Sequence, residues 1–124
     1  MQDIVKKTII IADDAEINRD MLRFIFEEQF DILEAGDGQE AIDLYAANSP
    51  EIVFLDIVMP VVDGNGAIEE IMKINPSADI VVVSSIGTQL QLKQAIQLGA
   101  KDFVQKPLNR NQIESILNTR FEGR

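Results

Sequence analysis

Apolar residues follow two rhythms along this chain. Short unbroken runs rich in Ile and Val occur at Thr8–Ala12, Ile52–Leu55 and Ile80–Val83, with weaker ones at Phe30–Ala35 and Phe103–Gln105. Such runs suit parallel strands covered on both faces. Between them the apolar positions fall at helical spacing: Ile17, Met21, Phe24 and Ile25, then Ile68, Ile71 and Met72, then Leu92, Ala95 and Ile96. Ile113, Ile116, Leu117 and Phe121 close the chain in the same way.

The punctuation agrees with this division. Asp37-Gly38-Gln39-Glu40, Thr88-Gln89-Leu90-Gln91 and Asn109-Arg110-Asn111-Gln112 each place a capping side chain three residues before Glu or Gln, the pattern of a helix start. Pro50 and Pro76 precede strands and Pro60 and Pro107 follow them, so no proline interrupts an element. The reading is one α/β domain over residues 1–124, a strand and a helix repeated five times. Right-handed crossovers make it a doubly wound parallel sheet with helices on both faces. In such sheets ligands sit beyond the carboxyl ends of the strands. Beyond the first strand lies Asp13-Asp14, and the third delivers Asp56. Ser84-Ser85 ends the fourth, and Lys106-Pro107 follows the fifth.

Composition narrows the chemistry those residues can do. With 124 residues and 46% hydrophobic content, the chain can bury a core without staples. There is no cysteine and no histidine, which removes disulfides, thiolate or HExxH zinc sites, Ser-His-Asp triads and any phosphohistidine on this chain. The net charge of −10 argues against direct nucleic-acid binding. No apolar run approaches a membrane span and no signal pattern opens the chain, so a cytoplasmic location is expected. Charge is uneven: residues 1–79 hold 18 acids and 5 bases, whereas residues 80–124 hold 3 acids and 6 bases.

Three carboxylates at one edge need neutralising. Two of them about 4 Å apart repel by roughly 4 kcal/mol at an effective dielectric of about 20. Hard oxygen ligands with room for water and phosphate are what Mg²⁺ prefers. An aspartate can also act as the nucleophile of a phosphoryl transfer, with cations and hydroxyls holding the remaining oxygens. Taken singly, each residue has a plainer reading: Asp13-Asp14 as caps of the following helix, Ser84 as a turn residue, Lys106 as a solvated lysine. Competing motifs are missing. Gly64-Asn65-Gly66 has Glu69 where a dinucleotide fingerprint needs glycine, and there is no GxxxxGK[ST] loop.

Asp13-Asp14, "DIVMPVVDG" at 56–64, "VVVSS" at 81–85 and "GAKDFVQKP" at 99–107 together resemble the receiver domain of two-component response regulators, of the chemotaxis-regulator type. The resemblance spans essentially the whole chain. It implies a flavodoxin-like sheet of order 2-1-3-4-5, the order known for that fold family. It implies that Asp56 is the phosphoacceptor. Asp14 and Asp56 would be direct ligands of Mg²⁺ (or Mn²⁺), joined by the main-chain carbonyl of Val58, with Asp13 acting through water. Lys106 would contact the phosphoryl group and form a cis bond with Pro107. Ser84 would supply the hydroxyl that shifts toward that group, and Phe103 would be the switch aromatic.

The implied function is signalling, with self-phosphorylation and slow self-dephosphorylation as the only catalysis. The donor would be a histidine kinase, a histidine phosphotransfer protein or a small acyl-phosphate-type compound. The readout, to an output protein or fused effector domain, would use the fourth helix, fifth strand and fifth helix. There Gln89, Gln91, Lys93, Gln94, Gln97, Lys101, Arg110 and Asn111 predict a neutral or acidic partner. Two positions depart from the chemotaxis pattern: Val58 and Ile86 are apolar and cannot orient a hydrolytic water, which predicts a long-lived phosphoryl state. Two other readings stay open: a receiver-like module that binds partners without phosphorylation, and a metal-dependent phosphatase.

Overall fold

A computed structural model describes residues 6–85 and 89–121. Five strands, β1 (Lys7–Ala12), β2 (Phe30–Ala35), β3 (Ile52–Asp56), β4 (Ile80–Ser84) and β5 (Asp102–Gln105), alternate with five helices. These are α1 (Glu16–Phe26), α2 (Gly38–Asn48), α3 (Gly64–Ile74), α4 (Gln89–Leu98) and α5 (Arg110–Arg120). The sheet is parallel throughout, in the order β2-β1-β3-β4-β5. The apolar runs end one residue early as strand markers: Asp56 and Ser84 are themselves the last residues of β3 and β4, paired with Val83 and Gln105.

Every residue of β3 and β4 is buried, which is why their sequences run apolar without alternation. Successive side chains nonetheless go to opposite faces. Ile10, Val53, Leu55, Ile80 and Val82 pack with Tyr45, Ile68, Ile71 and Ala95 from α2, α3 and α4. Ile9, Ile11, Phe54, Val81 and Val83 pack with Leu22 and Phe26 of α1 and with Ile113, Ile116 and Leu117 of α5.

α1 departs from its periodicity. The helix forms where the spacing of Ile17, Met21 and Phe24 places one, yet these three are exposed, Phe24 by 79%. Leu22 and Phe26 face the sheet instead. Two of the three expected helix caps are present: Asp37 accepts from the Glu40 amide at 2.8 Å and Asn109 from the Gln112 amide at 3.2 Å. Thr88 lies outside the described residues. Asp63 caps α3 through the Gly66 amide at 2.8 Å, a start that the Glu/Gln pattern does not mark. Among the described residues no helix is long and apolar enough to cross a membrane.

Candidate phosphoacceptor site

The site lies past the carboxyl ends of β1, β3, β4 and β5. Asp13 follows β1 directly. Its amide donates to the carbonyl of Ala35 on β2 at 3.0 Å, so the backbone still holds sheet geometry where the side chain emerges. Its Oδ1 accepts from the Ala15 amide at 2.9 Å. The cap position of α1 is Ala15, with no side-chain capping bond, so Asp13-Asp14 is not spent on capping that helix. Asp13 is 2% exposed and Asp56 6%, whereas Asp14 is open to solvent. One carboxylate oxygen from each of the three lies within 4.8 Å of the others.

Lys106 is the cation the structure brings to this cluster. It leaves β5 just before a cis bond to Pro107. Its amide donates to the Ser84 carbonyl at 2.7 Å, which anchors the β5 exit to the β4 exit. Nζ then reaches Asp13 Oδ2 at 3.0 Å and Asp56 Oδ2 at 3.1 Å. The other Asp56 oxygen accepts from the Val58 amide at 3.2 Å. One ammonium is thus shared between two buried carboxylates, with a third close by.

The electrostatics follow from that shortage. Burial, then the Asp13 charge, push the Asp56 carboxyl above its ordinary 3.8, although Lys106 and the Val58 amide pull the other way. For Lys106, burial favours the neutral amine, but the bonds and charges of Asp13 and Asp56 outweigh it and raise its pKa above 10.5. The edge therefore holds more negative charge than its own residues offset, in a donor set of hard oxygens. That is a fit for a small divalent cation.

Ser84 is buried, 4% exposed, at the end of β4. Together with Ser85, Gln89, Leu92, Phe103 and Gln105 it lines a cavity of about 70 Å³. Phe103 is 43% exposed beside that cavity, so its ring is outward. Val58 is 58% exposed, its side chain outside the carboxylate cluster. Ile86 lies outside the described residues.

Several contributors escaped sequence reasoning. Arg19 of α1 donates to the Asp13 carbonyl at 2.7 Å and holds Glu34 at 3.1 Å, bracing the backbone beneath the cluster. Nothing in its local sequence marks it. Gly64 is marked by the Asp-Gly pair. Its amide donates to the Ile57 carbonyl at 2.7 Å, and a Cβ there would fall 2.5 Å from the Asp56 carbonyl oxygen. Lys101, exposed on the expected readout face, also has a structural contact: its ammonium binds the carbonyls of Ser77 and Ala78 at 3.1 and 2.9 Å.

Known proteins carry the same plan. The chemotaxis protein CheY of Thermotoga maritima is 42% identical over 114 residues, covering 90% of this chain and 95% of that protein. A chain from the CheX–CheY–BeF3–Mg²⁺ complex of Borrelia burgdorferi superposes with a TM-score of 0.83 at 32% identity, covering 91% of this chain and 87% of that one. NtrX of Brucella abortus superposes at 0.86 with 28% identity over 95% of this chain, which spans only 27% of that longer protein. The model of the response regulator receiver domain matches residues 9–118. With the strand order, the three-aspartate edge and these relatives in agreement, the chain belongs to the response regulator receiver domain family.

Proposed function

We propose that this receiver domain takes a phosphoryl group onto Asp56 from a phosphohistidine of a histidine kinase or phosphotransfer protein, in the presence of Mg²⁺. The P–N bond of the donor breaks as a P–O bond to a carboxylate oxygen of Asp56 forms, and the histidine nitrogen leaves with the electron pair. The observation that carries this reading is the Lys106 ammonium bridging Asp13 and Asp56 at 3.0 and 3.1 Å, with Asp14 at the same edge.

Asp14, Asp56 and the Val58 main-chain carbonyl would hold the metal directly, with Asp13 through water. When bound, Mg²⁺ offsets the charge of the incoming phosphoryl oxygens. Lys106 neutralises a further oxygen and keeps Asp56 ionised as a nucleophile. BeF3 and Mg²⁺ in the Borrelia complex support this assignment by likeness.

Phosphorylation would be read out through Ser84 and Phe103. The cavity of about 70 Å³ is well short of the roughly 150 Å³ that accommodates a benzene molecule. On this reading the ring of Phe103 would enter only once Ser84 shifts toward the phosphoryl group. That makes outward and inward two packed states and not a continuum. The α4–β5–α5 face would carry the change to an output protein or effector domain.

Acetyl phosphate or phosphoramidate with Mg²⁺ should label the wild-type chain, and Asp56→Ala should abolish the label. An unlabelled wild type would instead support a module that binds partners without phosphorylation.

A further inference from the structure

α4 is anchored by fewer fully buried residues than its neighbours, with Leu92 and Leu98 packed only partly buried against the core. Only its Ala95 is fully buried, against four buried residues in α3 and three in α5, while Leu90 and Ile96 are exposed. Its position is fixed in part by a polar contact with α3. Asn65 Nδ2 donates to the Gln91 carbonyl and to Gln94 Oε1, both at 3.3 Å. The other end of that amide, Oδ1, is buried and without a partner among the described residues.

An unpaired buried oxygen costs stability, and a leucine, with the same branching and number of heavy atoms, would not incur it. A polar residue at a helix seam has another use, which is to fix one register against its neighbours at some expense of stability. Asn65 is itself held firmly. Asp63 caps the first turn of α3, and Gly64 lies against the backbone of Asp56 and Ile57 so closely that no side chain fits.

We propose that Asn65 is a positioning residue that sets where α4 rests on α3, and so ties that helix to the backbone beneath Asp56. The consequence for signalling rests on the phosphoacceptor reading. The positioning itself does not, and it is tested in the unphosphorylated chain.

The test is amide hydrogen exchange across α4, with melting followed in parallel, for wild type, Asn65→Leu, Gln94→Ala and the double variant. In Asn65→Leu, α4 amides should exchange about tenfold faster, the effect of losing two weak hydrogen bonds, while the melting temperature stays level or rises. A merely structural loss would speed exchange beyond α4 and lower the melting temperature. The two substitutions should be non-additive, because they remove a shared contact. Unchanged or slower α4 exchange in Asn65→Leu, or full additivity, overturns the proposal. Should Asn65→Leu fail to fold, Gln94→Ala decides alone: faster exchange confined to α4 supports the proposal and unchanged exchange overturns it.

Discussion

Asp56→Asn should make the metal-free chain more stable. At 4.8 Å a pair of carboxylate charges repels by about 3.5 kcal/mol at an effective dielectric of about 20. Asp56 meets that repulsion in full from buried Asp13, and in reduced form from solvent-exposed Asp14. Against it stands the 3.1 Å contact with Lys106, about 5 kcal/mol on the same scale and already shared with Asp13. The charges nearly cancel, so the cost of burying the carboxylate decides the sign, in agreement with its raised pKa. Asparagine removes the charge and retains an oxygen for the Val58 amide. A gain of about 1–2 kcal/mol is expected, or roughly 3–8 °C in melting temperature.

The assay is thermal unfolding in a chelator at neutral pH, and then across pH. A carboxyl whose folded pKa lies above its unfolded value adds stability at low pH and loses it as pH rises through the folded value. The advantage of Asn should therefore be absent well below 3.8 and open up as pH climbs past the Asp56 titration. Saturating Mg²⁺ should stabilise wild type by about 2.7 kcal/mol at a hundredfold excess over Kd, and the variant by much less. A less stable Asp56→Asn in chelator, or a gap independent of pH, refutes this account of the cluster.

Val61 has φ +67° in the turn after Pro60 and is 80% exposed, so Val61→Gly or Val61→Asn should stabilise by about 1 kcal/mol in chemical denaturation without affecting labelling of Asp56. Val58→Asn and Ile86→Glu should speed loss of the phosphoryl group, read as decay of labelled protein; wild-type decay equally fast would remove the case for a long-lived state. Lys101→Glu should lower the melting temperature by abolishing its bonds to the Ser77 and Ala78 carbonyls, whereas Lys93→Glu should weaken partner binding and leave melting unchanged.

The strands were legible because β3 and β4 are covered on both faces, leaving no alternation to confuse with a helix. Helix positions were legible too, and so were the inward faces of α3 and α5, but not most of the face of α1. Ile17, Met21 and Phe24 have the right spacing and face solvent, because periodicity shows that a stripe exists and not what it packs against. The candidate site could be read because strand order converts sequence position into spatial position: residues ending β1, β3, β4 and β5 must share one edge. What stayed hidden is what depends on where side chains reach across elements. Arg19, Lys101 and Asn65 bond to the main-chain carbonyls of Asp13, Ala78 and Gln91, and a carbonyl carries no residue identity for a sequence pattern to register.

These hidden contacts differ in kind from the core, and the difference bears on how such a domain can switch. The side chains of β3 and β4 are apolar and buried until the last residue of each, so the strands form a close-packed block. Three features that cost stability sit outside that block. Asp56 is buried with half a counter-ion, Val61 occupies a backbone region disfavoured for its type, and Asn65 leaves an oxygen unpaired. All three lie on the segment from the end of β3 to the first turn of α3. On the proposed function, a divalent cation at this edge would offset part of the Asp56 cost without disturbing the sheet. If the domain switches as proposed, a ligand acting on this segment would bias two states through its differential affinity for them, with the packed sheet common to both.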